Sequence, residues 1–178
     1  MNNNIVFSDN DYNNGNGMMT AVWGPPLWFT LHTISFNYPI KPSEVDKIHY
    51  YKYFKYLGKI LPCKYCRENY KKNIKETNFG LHIFENRYTF SKWVYDLHNV
   101  VNKSLGKNII ISYDEVRNKY ENFRARCIND QNNINTKKEK GCTIPLYGVK
   151  SKCIMNIVPK SDTRTTLKIE EECLVKKK

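Results

Sequence analysis

Two cysteines two residues apart, in Cys63-Lys64-Tyr65-Cys66, are the part of this sequence best suited to chemistry. At that spacing two thiols can close into a disulfide across one helical turn, and a helix N-terminus favours thiolate over thiol. Such a pair is a two-electron redox couple, and Lys64 and Arg67 add positive potential around it. Two other readings compete. A structural zinc site needs four ligands, usually from a second Cys pair or a close Cys/His pair. No second Cys-x-x-Cys exists, His82 and His98 are far apart, and Cys127, Cys142, Cys153 and Cys173 are singles, so no metal is expected. A thioredoxin-like setting would place the motif after a β-strand, whereas the residues before Cys63 carry a helical period.

The histidines suggest a second centre. His32 lies four residues after Trp28, and His98 lies four residues before Asn102, so each pair shares one helix face. A lone histidine on a helix is ordinarily a satisfied surface or core residue. Two helices that each offer a ring and a hydrogen-bonding neighbour fit a flat ligand better, because such a ligand needs apolar contact, polar groups at its edge and cations near any phosphates. Lys103 and Lys107 would supply that charge.

Helices must position both centres. Trp23, Leu27, Leu31 and Ile34 form an apolar stripe in a helix running to about Tyr38, with Pro25 and Pro26 expected in its first turn. Ser43 with Asp46 forms a capping box for a second helix, whose apolar side is Tyr50, Phe54, Leu57 and Leu61 and which stops before Pro62. A third helix from Cys63 to about Lys75 would hold both cysteines in its first turn. Phe90, Val94, Leu97, Val101 and Leu105 give a fourth helix, with Thr89 or Ser91 as its cap and Gly106 as its stop. Ser112 and Glu115 open a fifth, with Val116, Tyr120, Phe123 and Cys127 along one face. Cys127 is accordingly expected to be a buried core thiol.

The 178 residues suit one domain, and most of the 13 Tyr and 8 Phe lie between Trp23 and Phe123, which locates the core. Residues 1–20 read as a polar tail without a signal-peptide pattern, and no apolar run is long enough to span a bilayer. A cytosol-like compartment is expected. Residues 129–178 read as a linker and basic extension, in which the runs after Thr143 suit short strands or an unstructured tail equally. The net charge of +12 is spread along the chain rather than gathered into a block, which argues against a dedicated nucleic-acid patch. A non-enzymatic basic binding module for nucleic acid or an acidic virion protein, with a structural Cys pair, is the rival reading.

Three motifs together resemble the Erv/ALR family of FAD-linked sulfhydryl oxidases. Trp23-Gly24-Pro25-Pro26-Leu27-Trp28, with Leu31-His32 and Tyr38-Pro39, looks like its opening. Leu61-Pro62-Cys63-x-x-Cys66 resembles its redox motif, and His98-Asn99-x-Val101-Asn102-x-x-Leu105-Gly106-Lys107 resembles its cofactor helix. The resemblance covers about residues 22 to 124. It implies an all-α fold, a four-helix bundle plus a short fifth helix binding FAD, within a domain of residues 21–128. By the same resemblance Gly24, Trp28, His32, Tyr38, His98, Asn99, Val101, Asn102, Leu105, Lys107 and Tyr113 belong to the FAD site, and Cys63 and Cys66 are catalytic. The implied reaction is disulfide formation in protein thiols with reduction of O2 to H2O2, by a homodimer acting directly or through a thioredoxin-like relay protein.

Tyr95 and Ser112 stand where cellular members have a structural disulfide. In this the chain is similar to the short sulfhydryl oxidases of large DNA viruses, as is the phrase Ile110-Ile111-Ser112-Tyr113. A viral disulfide pathway for virion proteins, in the host cytoplasm or the virion, would follow. Members of the family often carry a second Cys pair that relays electrons. Here Cys142, Cys153 and Cys173 are the candidates for a shuttle or a structural bridge.

Overall fold

The structure is a computed structural model that describes residues 7–108, 111–128, 141–164 and 169–173. Its helices are α1 (Asp9–Asn13), α2 (Thr20–Phe36), α3 (Glu44–Ile60), α4 (Lys64–Glu76), α5 (Arg87–Ser104) and α6 (Tyr113–Glu121). A 3-10 turn, Leu81–Glu85, precedes α5, and β1 (Ala125–Ile128) and β2 (Gly141–Pro145) form a two-stranded antiparallel sheet. Two compact units divide the chain, Met1–Ile110 and Ile111–Lys178. Of the linker and basic extension expected over 129–178, residues 129–140, 165–168 and those beyond Cys173 lie outside the described residues, as do Ile109 and Ile110.

In the first unit α2, α3, α4 and α5 form a helical bundle around a core that is largely aromatic. Tyr38, Phe54, Phe84 and Phe90 are fully buried, alongside Leu31, Leu57, Ile83, Val94 and Leu97. The rings meet edge to face: Phe54 and Phe90 lie 5.1 Å apart at 86°, and Tyr38 and Tyr50 lie 4.6 Å apart at 75°. That arrangement sets positive ring edges against negative faces, beyond the gain of about 1.5–3 kcal/mol for burying each large side chain. Polar ties complete the unit. The Tyr70 hydroxyl donates to the Phe54 carbonyl at 2.8 Å, joining α4 to α3, and the Trp93 indole donates to the Thr77 hydroxyl at 3.1 Å, joining α5 to the end of α4.

Helix boundaries follow side-chain capping where the sequence offers it. Ser43 and Asp46 cap α3 reciprocally, and Ser112 and Glu115 do the same for α6, as their spacing predicts. Three expectations need correction. Helix α2 begins at Thr20, so Pro25 and Pro26 lie in its second turn; its first turn is built instead on the Met19 carbonyl, which accepts from Val22 and Trp23. The cap of α5 is Asn86, with Thr89 as its reciprocal partner rather than the cap itself, because the Asn86 side chain accepts the Thr89 amide at 3.0 Å. Helix α6 stops at Glu121 and does not reach Cys127. There the chain enters β1, where Ala125 pairs with Pro145 and Cys127 with Cys142 across a bulge. Among the described residues after Pro145 no further strand forms, and the run Ile154 to Val158 is irregular.

The end of α5 matches its sequence signal. Gly106 takes φ +67, its amide donates to the Lys103 carbonyl at 3.0 Å, and the Lys107 amide donates to the Asn102 carbonyl at 2.9 Å. Those two bonds are a Schellman closure, which the left-handed glycine makes possible.

Candidate functional site

The dithiol sits where α3 gives way to α4. Leu61 ends α3, Pro62 prevents its continuation, and Cys63 becomes the N-cap of α4 with extended φ −164 and ψ 125. In that conformation the Cys63 sulfur accepts the amide of Cys66 at 3.2 Å, so the sulfur itself satisfies one of the donors left open at a helix start. The expectation of both cysteines in the first turn therefore holds in adjusted form, with Cys63 as the cap and Cys66 one turn in. Arg67 braces the turn from behind, its Nη1 donating to the Leu61 carbonyl at 2.7 Å. Cys66 is half-buried and packs on the aromatic core. Burial pushes its thiol above the ordinary cysteine range, the hydrogen bond with Cys63 adds to this, and the Arg67 guanidinium works against it. The two sulfurs are thus chemically unlike, one capping a helix and one facing the core.

The histidine helices meet as well. Trp28 and His32 on α2 and His98 on α5 form one cluster, in which the Trp28 and His98 rings stack at 4.0 Å and 5°. His32 Nε2 and His98 Nδ1 lie 3.0 Å apart, so one nitrogen donates and the other accepts. Burial first, and the Lys107 cation second, hold His98 down at about 4, so its imidazole is neutral near pH 7. The result is an uncharged flat platform with a cation beside it. Trp28 packs on the same core as Cys66. At Gly24, also on α2, a Cβ would meet no heavy atom within 4 Å among the described residues, so the protein's own packing does not demand glycine there.

Other residues singled out from the sequence are distributed unevenly. Asn99, Val101 and Asn102 are half-buried on α5, and Leu105 and Lys107 are exposed at its end. Tyr38 is placed in the core rather than in the ring cluster. Its hydroxyl donates to the Phe84 carbonyl at 2.8 Å, its carbonyl accepts from Arg87, and burial pushes its phenol up to about 12. Tyr113 is half-buried at the start of α6, in the second unit. Cys127 is an exposed strand residue in a disulfide with Cys142, not a buried helical thiol, because the helix that would have buried it ends six residues earlier. Cys153 and Cys173 are free thiols.

Sequence reasoning missed three things. The stacking of Trp28 on His98 is a contact between helices, and the spacing within each helix carries no trace of it. The pairing of Cys127 with Cys142 depends on a hairpin that the helical stripe concealed. The third is Gly17, paired with Cys63 in an isolated antiparallel bridge. Its only sequence signal was the Gly15-x-Gly17 spacing inside a segment that read as polar tail.

Among the described residues no helix is long and apolar enough to cross a membrane, and no group of three His, Cys, Asp or Glu residues is placed to hold a metal. Comparison with known proteins agrees with the geometry. A probable FAD-linked sulfhydryl oxidase of Acanthamoeba polyphaga mimivirus is 36% identical over 93 residues, covering 52% of this chain and 65% of that protein, just under two thirds of its length. A putative FAD-linked sulfhydryl oxidase of Invertebrate iridescent virus 6 is 33% identical over 93 residues, covering 50% of this chain and 84% of that protein. The crystal structure of the yeast Erv1 core superposes with a TM-score of 0.52 at 22% identity, covering 67% of this chain and 94% of that one, which shows the shared fold. The profile of the Erv1 / Alr family matches residues 25–124, the span that holds the dithiol turn, the Trp28–His32–His98 cluster and the Gly106 helix end; the chain belongs to that family.

Proposed function

We propose that this chain is an FAD-dependent sulfhydryl oxidase that forms disulfides in protein thiols. The observation that carries the reading is the pair of unlike sulfurs at the start of α4, of which Cys66 packs on the same aromatic core as Trp28 of the neutral Trp28–His98 stack. The residues present suit FAD: flat aromatic faces from Trp28 and His98, ring nitrogens from His32 and His98, amides from Asn99 and Asn102, a cation at Lys107, and room at Gly24. Val101 and Leu105 would lend apolar contact, and Tyr38 would support the site only through the core. Bound FAD would accept two electrons from the dithiol and pass them to O2, giving H2O2.

What the protein does around that chemistry follows from its side chains. Cys63, at the helix cap, receives the incoming thiolate. A disulfide forms between substrate and Cys63, the Cys63–Cys66 bond breaks, and Cys66 leaves with the electron pair. A second substrate thiolate then releases Cys63, so the pair takes up two electrons while the substrate gains a disulfide. His32 and His98 bind and orient rather than exchange protons, because His98 is held neutral and the two rings are committed to each other. We assign this activity to an oxidase domain of residues 21–128, flanked by the N-terminal segment 1–20 and the extension 129–178.

The relatives' names describe viral FAD-linked sulfhydryl oxidases, and we extend the reading to a viral disulfide pathway for virion proteins, in the host cytoplasm or the virion. A homodimer acting on protein thiols, directly or through a relay protein, completes the reading. The test is a visible spectrum of the purified protein, followed by oxygen uptake on adding dithiothreitol, for wild type and Cys66→Ala. Flavin bands with oxygen consumption lost in Cys66→Ala support it. Protein that cannot be loaded with FAD sinks it.

A further inference from the structure

The segment before α2 is fastened to the redox turn. The Gly15 carbonyl accepts the amide of Lys64 at 3.1 Å, and the Met18 amide donates to the Pro62 carbonyl at 2.8 Å, so the backbone is held on both sides of Cys63. Gly17 lies between them, paired with Cys63. The segment is tied to α2 at its far end, where the Met18 carbonyl accepts the Trp23 indole N–H at 2.9 Å, and it follows α1, whose start Ser8 and Asp11 cap reciprocally. Gly17 has φ +83, and a Cβ there would fall 2.1 Å from the Pro62 carbonyl oxygen and 3.0 Å from the Cys63 nitrogen. Both the backbone conformation and the lack of space restrict the position to glycine. The Lys64 amide is one of the donors that a helix start leaves without an internal partner. Here Gly15 satisfies it.

We propose that Gly15–Met18 is a strap that positions Cys63, with Gly17 as its positioning residue. Resting on the oxidase reading above, the strap assigns to that reaction a residue that touches neither substrate nor cofactor. It holds Cys63 in the extended conformation from which its sulfur receives the Cys66 amide. It also occupies the backbone edge beside Cys63, so an incoming polypeptide cannot add a strand there and must present its thiol from the open side. When a substrate reduces the pair, the sulfur released at Cys63 is a thiolate, and the Cys66 amide with the N-terminus of α4 stabilises it. Loosening the strap moves that sulfur away from its donor and disfavours the reduced pair.

The experiment uses the full chain with Gly17→Ala, and with Trp23→Phe as a milder variant that removes the indole bond to Met18 together with part of a ring that packs on the core. Two quantities are read by mass mapping: the dithiol–disulfide equilibrium of Cys63–Cys66 in glutathione buffers, and the rate of Cys63 alkylation in the reduced pair. Far-UV circular dichroism reports folding. The expected result for folded Gly17→Ala is a shift of about tenfold towards the disulfide, about 30 mV for a two-electron couple, with Cys63 of the reduced pair alkylated more slowly. Trp23→Phe shifts both in the same direction by less. A folded Gly17→Ala with the wild-type equilibrium and alkylation rate overturns the strap, and if that variant does not fold, unchanged values in Trp23→Phe overturn it equally. Neither quantity requires flavin, so a wild-type protein without oxidase activity would remove the oxidase reading while the strap was still judged on its own numbers.

Discussion

Acidification should destabilise the first unit through His98 before it does so through any carboxylate. The His98 imidazole has an ordinary pKa of 6.5 when unfolded and about 4 in the folded chain, lowered by burial and by Lys107. The unfolded state therefore takes up the proton first, so stability is intact above about pH 6.5, falls as pH drops towards 4, and levels off below. At pH 4.5 the unfolded chain is almost fully protonated at this site and the folded one is mostly neutral, and the linkage integral gives a loss of about 2.5 kcal/mol. Against a typical total of about 5–15 kcal/mol this is readily measured. Asp11, Asp46 and Glu115 are lowered by their serine caps, and their contribution begins to be lost as pH nears their ordinary values of 3.8 and 4.5, so most of the slope between pH 5 and 7.5 belongs to the paired histidines rather than to these carboxylates. The assay is urea denaturation of flavin-free protein followed by tryptophan fluorescence, because Trp23, Trp28 and Trp93 all lie in the first unit. His98→Gln removes the titrating group and should give a much flatter profile over the same range. An equal slope in wild type and His98→Gln would refute the reasoning, as would no slope in wild type.

Other outcomes follow from single contacts. In reduced protein near pH 8, alkylation mapped by mass should reach Cys63 well before Cys66, whose thiol is raised by burial; equal rates would mean the two sulfurs are equivalent. Gly106→Ala should cost about 1–2 kcal/mol of stability in thermal or urea melts, the penalty of a left-handed residue with a side chain, and no loss would mean that α5 ends another way. Tyr38→Phe should cost about 1–3 kcal/mol by leaving the buried Phe84 carbonyl without its donor, with the flavin spectrum of loaded protein unchanged. An altered spectrum would return Tyr38 to the cofactor's surroundings.

What could be read from the sequence was what is local. Ser43 with Asp46, Ser112 with Glu115, and Gly106 each announce a helix end through a bond that spans three to five residues, and the structure uses all of them. The dithiol turn was legible for the same reason, since Pro62 and Cys63 define a helix start by themselves. Contacts between elements were not. Trp28 and His98 are seventy positions apart, and only the packing of α2 on α5 stacks them. The stripe Val116, Tyr120, Phe123 misled as to Cys127 because a period of apolar residues continues in the sequence after the backbone has turned into a strand. Tyr38 was singled out by its place in a motif, and the motif carried no trace of the core contacts that its hydroxyl and its ring make.

The Trp28–His98 stack also makes the molecule its own optical indicator. Of the three tryptophans, Trp93 is enclosed by phenylalanines and Trp23 is tied to Met18, whereas Trp28 faces an imidazole ring to ring. An indole's emission responds to the charge and to the light-absorbing groups it faces, so the brightness of Trp28 will register whatever alters the ring beneath it. A proton arriving on His98 and a chromophore seating against the pair would each dim the same residue. Their lifetimes and pH dependences would tell them apart, and no label would be needed.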